Sequence, residues 1–341
     1  MNFPLQDLPP ESAHFCLHIE HFLEKELLCP LHGKTLILAC SGGVDSSALL
    51  LFCRSMQSRW GIALIAAHLD HRLRTESADD ARAVAALCRS AGVPCFFGSS
   101  EVRRYAERVG LGIEAAGRRL RYRFLEGVRK KTAADCILTG HHLNDLAEDS
   151  IMRQLRGAGW PALAGMAAWD SEQRLLRPFL LTPKKKLVRF VTSAGWSWRD
   201  DHSNEDMSFH RNRVRHRVLP RLLEENPRYL DSVAQLWRQA ALDADYWSQE
   251  LARLRALEQS GAGWILIPDC SLRELQPALR LRWYRDILNR LGQGQIRAVS
   301  LLSLEKAWMQ QSIGKTFQFP GHKTAKIQAG GIVFQLCLRQ S

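Results

Sequence analysis

Some of the residues in this 341-residue chain have types and spacing that suit phosphate chemistry. They are Ser41, Gly42, Gly43, Val44, Asp45 and Ser46. Adjacent glycines let backbone N–H groups approach a ligand closely, and the free N–H groups at the start of a helix favour an anion. Because no lysine lies in the run, it is not the common Gly-x-x-x-x-Gly-Lys-Ser/Thr nucleotide loop. It predicts a phosphate site at which Asp45 holds Mg²⁺ against the phosphates.

The sequence on either side predicts the elements that hold this run. Residues 35–40 are apolar without alternation, which is typical of a buried parallel strand, and a helical segment follows from residue 46. Further buried strands, separated by helical segments, are predicted at residues 62–71, 93–97 and 134–140. Alternating strands and helices predict an α/β fold with a doubly wound parallel sheet. Residues 11–28 predict a helix ahead of the first strand.

A second group of polar residues follows the fourth predicted strand. Because parallel strands end at one edge of the sheet, Asp45 and Asp145 are expected to converge on one metal–phosphate site. Glu148 lies about one helical turn after Asp145 and is expected on the same face. For His141 and His142, packing or capping at the strand end and a transition-metal site are both open. Oxygen ligands around a triphosphate favour Mg²⁺ over zinc.

The chain is strongly basic, with a formal net charge of +12. This favours a polyanionic partner such as nucleic acid, and a merely basic protein is the alternative. The densest basic stretch is residues 183–221, in which Trp196, Trp198 and Phe209 are interleaved. Its basic residues are Lys184, Lys185, Lys186, Arg189, Arg199, Arg211, Arg213, Arg215, Arg217 and Arg221. Cationic and aromatic side chains together suit a single-stranded RNA loop, and a solvated helix face with core tryptophans is the alternative.

Arginines are also dense in the helix predicted at residues 112–125. Either this is a solvated basic face, or Arg118 or Arg121 reaches a phosphate of ATP or RNA. The first twenty residues lack a secretory signal and no apolar run is long enough for a membrane span, so we expect a cytoplasmic protein. Nine scattered cysteines, none in a Cys-x-x-Cys pair, are expected to be reduced and buried.

A second, smaller domain is predicted after the basic stretch. The predicted organisation is a helical extension at 1–33, a catalytic domain at 34–221 and a mostly helical α+β domain at 222–341. Within the last domain, helices are expected at 224–258 and 275–291, a strand at 264–268, and paired strands at 315–319 and 325–336.

The run 41–46 resembles the Ser-Gly-Gly-x-Asp-Ser signature of the ATP pyrophosphatase (PP-loop) enzymes. Further blocks, in order, resemble the tRNA(Ile)-lysidine synthetase family within that superfamily. These are His68-x-Asp70-His71-x-Leu73-Arg74, Glu114-Ala115-Ala116-x-Arg118-x-x-Arg121-Tyr122, Thr139-Gly140-His141-His142, Arg156-Gly157-Ala158-Gly159, Leu163-Ala164-Gly165-Met166, Asp201-x-Ser203-Asn204 and Arg211-Asn212-Arg213-Val214-Arg215-His216-x-x-Leu219-Pro220. The resemblance covers roughly residues 34–221.

The resemblance implies a two-step ligase that uses ATP and Mg²⁺. Such an enzyme adenylates the C2 oxygen of the wobble cytidine in a CAU-anticodon tRNA(Ile), then attaches free L-lysine, releasing AMP and pyrophosphate. Longer members of the family carry a further C-terminal domain, and the present sequence ends at Ser341 before one. Whether the protein is a homodimer is left open.

The residue roles follow from this resemblance together with the positions of the charged residues. They are catalytic for Asp45, Asp145, Arg118 and Arg211; ATP binding for Ser41, Gly42, Gly43, Val44, Asp45, Ser46, His68 and His141; metal binding for Asp45, Asp145 and Glu148; and tRNA contact for Arg121, Lys184, Lys185, Lys186, Arg213 and Arg215.

The chain departs from the family pattern where the family usually reads His-His-x-Asp-Asp-Gln-x-Glu-Thr. It has Asn144, Leu146 and Asp149 there, and we do not assign Asn144 as a metal ligand. Three other functions are weighed: a tRNA thiolase, an amidotransferase-type synthetase and a non-catalytic RNA-binding protein. The thiolase would need catalytic or cluster-binding cysteines, and the synthetase leaves the basic stretch unexplained.

Overall fold

The computed structural model describes residues 4–73, 77–196, 198, 207 and 209–337. The motif residues Asp201, Ser203 and Asn204, and the basic residues Arg74 and Arg199, lie outside these ranges. The chain forms two compact units, Met1–Arg238 and Gln239–Ser341. The domain bounds 1–33, 34–221 and 222–341 stay a prediction of where the catalytic part begins and ends.

The first unit contains a six-stranded sheet. Its strands are β1 (Thr35–Ala39), β2 (Ala63–Asp70), β3 (Cys95–Ser99), β4 (Cys136–Leu138), β5 (Trp169–Asp170) and β6 (Leu175–Leu176). The spatial order is β3-β2-β1-β4-β6-β5, and all neighbours are parallel except β5 and β6. The four predicted strands are β1 to β4, which confirms the α/β prediction. The two-residue strands β5 and β6 were not predicted.

The strands of the first unit alternate with helices. The helices are α1 (Pro10–His21), α2 (Val44–Trp60), α3 (Ser77–Ala91), α4 (Val102–Val109), α5 (Ile113–Lys131), α6 (Leu143–Leu155), α7 (Lys184–Ser193), α8 (His210–Arg213) and α9 (Leu219–Glu225). A further helix, α10 (Tyr229–Leu254), begins in the first unit and ends in the second. A π-helical segment continues each of two helices: Phe22–Glu26 follows α1, and Val214–Val218 follows α8.

Strand β1 shows why its sequence is apolar without alternation. Leu36 and Leu38 belong to the main core, which also holds Leu50 of α2. Ile37 points to the opposite face and packs in a separate core with Leu125 and Val128 of α5. Since successive side chains of a strand face opposite sides, a strand covered by helices on both faces needs apolar residues throughout.

The predicted leading helix is α1 with its π-helical continuation. Glu20, near its end, accepts hydrogen bonds from Arg59 Nε (2.8 Å) and Trp60 Nε1 (2.7 Å) at the end of α2. These bonds fix the leading helix to the helix that carries the phosphate run.

The second unit contains an antiparallel sheet with helices. Its strands are β7 (Gln259–Gly261), β8 (Trp264–Pro268), β9 (Thr316–Phe319), β10 (Lys323–Gln328) and β11 (Gly331–Leu336). Its helices are α11 (Asp269–Arg273), α12 (Pro277–Leu291) and α13 (Ala298–Met309). The order is β7-β8-β11-β10-β9, which confirms the predicted strand at 264–268 and strand pairing near the end of the chain. The segment predicted at 325–336 is two strands, β10 and β11, which pair with each other.

Two observations concern the class of protein. No helix in the described ranges is both long enough and apolar enough to cross a membrane. The nine cysteines are free, and most are buried or half-buried. Cys270 and Cys337 are exposed, so the prediction of burial was wrong for these two.

Candidate active site

The predicted phosphate loop joins β1 to α2, and Ser46 holds it in shape. The Ser46 hydroxyl accepts hydrogen bonds from the N–H groups of Ser41 (3.2 Å) and Gly42 (3.1 Å), and it donates one to the Gly43 carbonyl (3.0 Å). Gly42 has a φ of +92°, which strains any other residue, and a Cβ there would lie 3.2 Å from Val84 Cγ2 of α3. The loop is therefore a preformed turn at the positive end of a 17-residue helix.

Gly140 allows the end of β4 to approach this loop. A Cβ on Gly140 would lie 2.6 Å from the backbone oxygen of Asp45, which is closer than real Cβ contacts allow. Since β4 pairs in parallel with β1, the residues that follow both strands meet at one edge of the sheet. The close approach places His141 and His142 beside the loop.

His142 connects two of the predicted metal-binding aspartates. Its backbone N–H donates to Asp145 Oδ2 (3.0 Å) and its Nδ1 accepts from the Asp145 N–H (3.4 Å), which makes a capping box at the start of α6. Its Nε2 lies 3.5 Å from Asp45 Oδ1. Burial lowers the pKa of the His142 imidazole, but Asp145 and Asp45 outweigh burial and raise it. The sequence left the role of His142 open, and in the structure His142 caps the start of α6.

Asp145 and Glu148 are both paired with two arginines. Arg211 donates from Nη2 to Asp145 Oδ1 (2.9 Å) and from Nε to Glu148 Oε2 (2.9 Å). Arg215 donates from Nε to Glu148 Oε1 (2.7 Å) and from Nη2 to Asp145 Oδ1 (3.1 Å). Burial alone would raise the pKa of the Asp145 carboxyl, but His142 and Arg211 hold it well below its usual value. Two buried negative charges are therefore balanced by two positive ones.

The three predicted metal ligands differ in their freedom to bind a cation. Asp45 Oδ1 is buried and has no hydrogen-bond partner in the described chain, so this oxygen suits a cation such as Mg²⁺. Asp145 Oδ1 and both oxygens of Glu148 accept from Arg211 and Arg215, and Asp145 Oδ2 accepts from the His142 N–H. Within the described ranges, the three carboxylates do not bring one oxygen each within 4.8 Å of the others. The residues fit a metal on Asp45, and a shared site requires that the arginines move.

His68 lies near the end of β2, on the side of β1 opposite to β4. Its Nδ1 lies 2.8 Å from the carbonyl oxygen of Cys40, and because a carbonyl only accepts, Nδ1 carries a proton. The other ring nitrogen, Nε2, is buried without a hydrogen-bond partner in the described residues and is the atom left to accept a hydrogen bond. Such an acceptor suits a hydroxyl or amino group of a bound nucleoside.

His141 lies among cationic side chains. Its Nδ1 is 2.7 Å from Thr139 Oγ1. Burial is the main reason that its pKa lies well below the usual value, and Arg121 and Arg177 lower it further against the effect of Asp145. His141 is therefore a neutral hydrogen-bonding group between the loop and a group of arginines.

That group includes one residue that the sequence did not reveal. Arg118 and Arg121 lie over the Tyr122 ring, with guanidinium carbons 4.9 and 5.4 Å from its centroid. Arg177 directly follows β6 and is 5% exposed. The sequence shows Arg177 only as an arginine that follows two leucines. Two residues are too few to predict a strand, so the sequence did not place Arg177 at a strand end.

The three departures from the family pattern have structural roles. Asn144 Oδ1 accepts a hydrogen bond from the Lys184 N–H (3.0 Å) at the start of α7. Asp149 pairs with Arg153 (2.8 Å), one helical turn later. Leu146 is buried in the main core. None of these contacts concerns the predicted metal ligands.

The residues predicted to contact tRNA are dispersed over the first unit. Lys184, Lys185 and Lys186 are exposed in the first turn of α7. Arg213 donates to the Met207 carbonyl (2.9 Å). Arg215 faces the carboxylates of the site. Trp196 and Trp198, expected as stacking surfaces, are half-buried against the main core.

The fold and the loop define a class of protein. A family model described as a PP-loop domain (ATP_bind_3) matches residues 13–222. The solved structure of the U34-tRNA thiolase NcsA from Methanococcus maripaludis has a TM-score of 0.54 at 15% identity, covering 67% of this chain and 79% of that one. This likeness concerns the fold. The chain is a PP-loop protein.

More similar relatives identify the family. A tRNA(Ile)-lysidine synthase of Nitratidesulfovibrio vulgaris is 44% identical over 315 residues, which is 87% of this chain and 91% of the relative. The Bacillus subtilis protein of the same name is 38% identical over 212 residues, or 61% of this chain and 44% of that protein. The chain belongs to the tRNA(Ile)-lysidine synthase family.

Proposed function

We propose that this protein is an ATP-dependent ligase that adenylates the C2 oxygen of the wobble cytidine in a CAU-anticodon tRNA(Ile) and then attaches lysine. The observation that supports this most directly is the meeting of the phosphate loop with the end of β4. There Asp45 Oδ1, buried without a hydrogen bond in the described residues, lies 3.5 Å from His142 Nε2, and His142 contacts Asp145. With a tRNA substrate, we expect the protein in the cytoplasm.

ATP occupies the loop side of this edge. The loop between Ser41 and Ser46 presents the N-terminus of α2 to the phosphates, which the helix dipole favours. His68 accepts from the nucleoside at Nε2. His141, neutral beside the loop, donates or accepts near the phosphates without adding charge.

Asp45 would hold the metal ion, with Asp145 and Glu148 joining it once their arginines leave. When bound, Mg²⁺ supplies positive charge that stabilises the departing pyrophosphate. The released guanidinium groups of Arg211 and Arg215 can then contact phosphate oxygens, because a guanidinium group binds a phosphate well through two parallel hydrogen bonds.

The two reaction steps need little covalent chemistry from the protein. In the first, the cytidine oxygen attacks the α-phosphate and the bond to pyrophosphate breaks. In the second, the lysine amine forms a bond to C2 and the bond from C2 to the AMP oxygen breaks. Positioning and charge stabilisation account for catalysis, with Arg118 and Arg211 as the cationic contributors.

The RNA lies over the basic surface near α7. Lys184, Lys185 and Lys186 are exposed there, and Arg121 and Arg213 are half-buried. Exposed lysines bind phosphates through charge without reading sequence, so they orient the anticodon loop. Arg215 contacts RNA only in a state in which it has left Glu148.

The test is incorporation of labelled lysine into a CAU-anticodon tRNA(Ile) transcript, with ATP and Mg²⁺ present. We expect label on the RNA that depends on ATP and on the wobble cytidine, with AMP formed in equal amount. A transcript with the wobble cytidine changed to uridine is the matched control.

Other outcomes would contradict the proposal in distinct ways. AMP formation that needs tRNA but gives no lysine on the RNA would indicate another second substrate, such as a sulfur donor. RNA binding without any AMP would indicate a binding protein with no adenylation step.

A further inference from the structure

Two arginines near His141 each bury part of a guanidinium group beside Tyr122. The Nε atoms of Arg121 and Arg177 are buried and have no hydrogen-bond partner in the described chain. Arg177 Nη1 donates to the Ala167 carbonyl, and neither residue is among the ion pairs of the described ranges. Burying a guanidinium without a counter-charge is unfavourable. A site that keeps two such groups together is arranged for an anion that arrives from outside.

The position of this pair separates it from the phosphate loop. Strand β6 pairs with β4, and β4 pairs with β1, so Arg177 lies beyond β4 as seen from the loop. Two strand spacings amount to about 10 Å. The phosphate loop follows β1 and His68 lies on β2, so Arg177 lies on the far side of β4 from both. Of the predicted ATP-binding residues, His141 follows β4, between the loop and the arginine pair. We therefore assign the anion near Arg177 to the other substrate.

The exposure of the cations indicates what that substrate is. Arg177 is buried, Arg121 is half-buried and Arg118 is exposed, and the latter two lie over the same Tyr122 ring. Positive charge therefore continues from the interior to the surface. A line of cations beside an aromatic ring suits a nucleic-acid strand, whose charges repeat along its length, better than a single small anion.

We propose that Arg177, Arg121 and Tyr122 form a subsite for one backbone phosphate of the RNA loop next to the reacting nucleotide. This rests on the proposed function in its choice of RNA. The bound phosphate supplies a directly contacting counter-charge, which no ion pair of the described residues gives to these two guanidinium groups. The Tyr122 hydroxyl, also buried without a hydrogen-bond partner in the described residues, donates to a phosphate oxygen.

The experiment measures the affinity of a labelled CAU anticodon stem-loop without ATP, by fluorescence anisotropy. Single phosphates of the loop are replaced in turn by neutral methylphosphonates. With the unaltered protein, we expect one position to weaken binding about tenfold, which corresponds to one charge-assisted contact. Arg177→Gln should weaken binding to the normal RNA by a similar factor and make that one position insensitive to replacement.

Two further variants keep the test decisive. Tyr122→Phe removes one hydroxyl and should give a smaller loss at the same phosphate, and Arg177→Lys tests the role if Arg177→Gln fails to fold. Arg174→Gln, an exposed change in the β5–β6 turn, is the matched control and should leave affinity unchanged.

The subsite would be overturned if each methylphosphonate weakened binding to Arg177→Gln by the same factor as it weakens binding to the unaltered protein. So would unchanged RNA affinity with a raised KM for lysine, which would assign the arginines to the carboxylate of the amino acid. Absent lysine incorporation by the unaltered protein would contradict the proposed reaction alone, because the binding cycle does not depend on it.

Discussion

Asp45 differs from the other acidic residues of the site because no arginine of the described residues pairs with it, and its nearest charged neighbour is His142, with Nε2 3.5 Å from Oδ1. Asp145 and Glu148 are balanced by arginines, whereas Asp45 Oδ1 is buried without a hydrogen bond in the described chain. A buried carboxylate oxygen without a donor is costly unless a cation completes it. This makes Asp45 the first residue at which metal binding is testable.

We predict that Asp45→Asn reduces tRNA-dependent AMP formation at least about 100-fold, as removal of one group that stabilises charge in the transition state does. The amide keeps the size of the side chain and removes its charge. Affinity for the stem-loop RNA should change little because Asp45 contacts the loop edge, not the basic surface. AMP formation near the normal rate would remove Asp45 from the metal site.

Gly140 gives a prediction about spacing. In Gly140→Ala the new Cβ would meet the Asp45 backbone oxygen at 2.6 Å, so the loop or the end of β4 must shift. We expect AMP formation to fall about 10- to 100-fold, because displacements near 1 Å have effects of this size. The matched control is Gly127→Ala within α5, which meets no atom within 4 Å and should be neutral or slightly stabilising. Equal activity of both variants would show that the close approach is dispensable.

At the scale of elements, the strands with a continuous apolar run were predicted from the sequence, and the strands of only two residues were missed. The buried strands β1 to β4 and the glycine turn were predicted, since continuous apolar runs and adjacent glycines are local signals. Strands β5 and β6 have two residues each and give no pattern, so Arg177 was missed. The pairing of Arg211 and Arg215 with Asp145 and Glu148 joins residues more than sixty positions apart, which spacing cannot reveal.

The contact between α1 and α2 gives a pH-dependent prediction. Burial raises the pKa of the Glu20 carboxyl, but hydrogen bonds from Arg59 and Trp60 outweigh it and lower the pKa below 4.5. A lowered pKa means that this stabilisation is complete above about pH 4.5 and is lost as pH falls further. Glu20→Gln should therefore lower the free energy of unfolding by about 1 to 3 kcal/mol near neutral pH.

Urea denaturation at about pH 7 and about pH 4 measures this difference. We expect the deficit of Glu20→Gln to shrink at the lower pH, since the unfolded normal protein then takes up a proton that the folded protein binds less readily. Glu11→Gln on the same helix is the control, because its ion pair with Arg189 is exposed and should contribute little. A deficit that is constant with pH would show that the charge of Glu20 is not the source of the stabilisation.

At the scale of the whole molecule, the net charge of +12 is not by itself evidence of an RNA surface. Basic residues also occur at the edge where the strands begin, such as Lys34, Lys130 and Lys131. The ligand edge carries Lys184, Lys185 and Lys186 in the first turn of α7, close to Asn144 at the start of α6. If the position of the lysines determines RNA binding, removing three positive charges at the ligand edge weakens it more than removing three at the opposite edge.

The last prediction compares these two edges directly. Changing Lys184, Lys185 and Lys186 to Gln should weaken stem-loop binding and reduce the slope of log affinity against log salt by about 2, at about 0.7 per single-strand phosphate contact. Changing Lys34, Lys130 and Lys131 to Gln removes the same charge and should leave the slope almost unchanged. Affinity for ATP should be normal in both variants, because neither set lies in the phosphate loop. Equal slopes in the two variants would mean that the RNA responds to overall charge, and the surface near α7 would lose its assigned role.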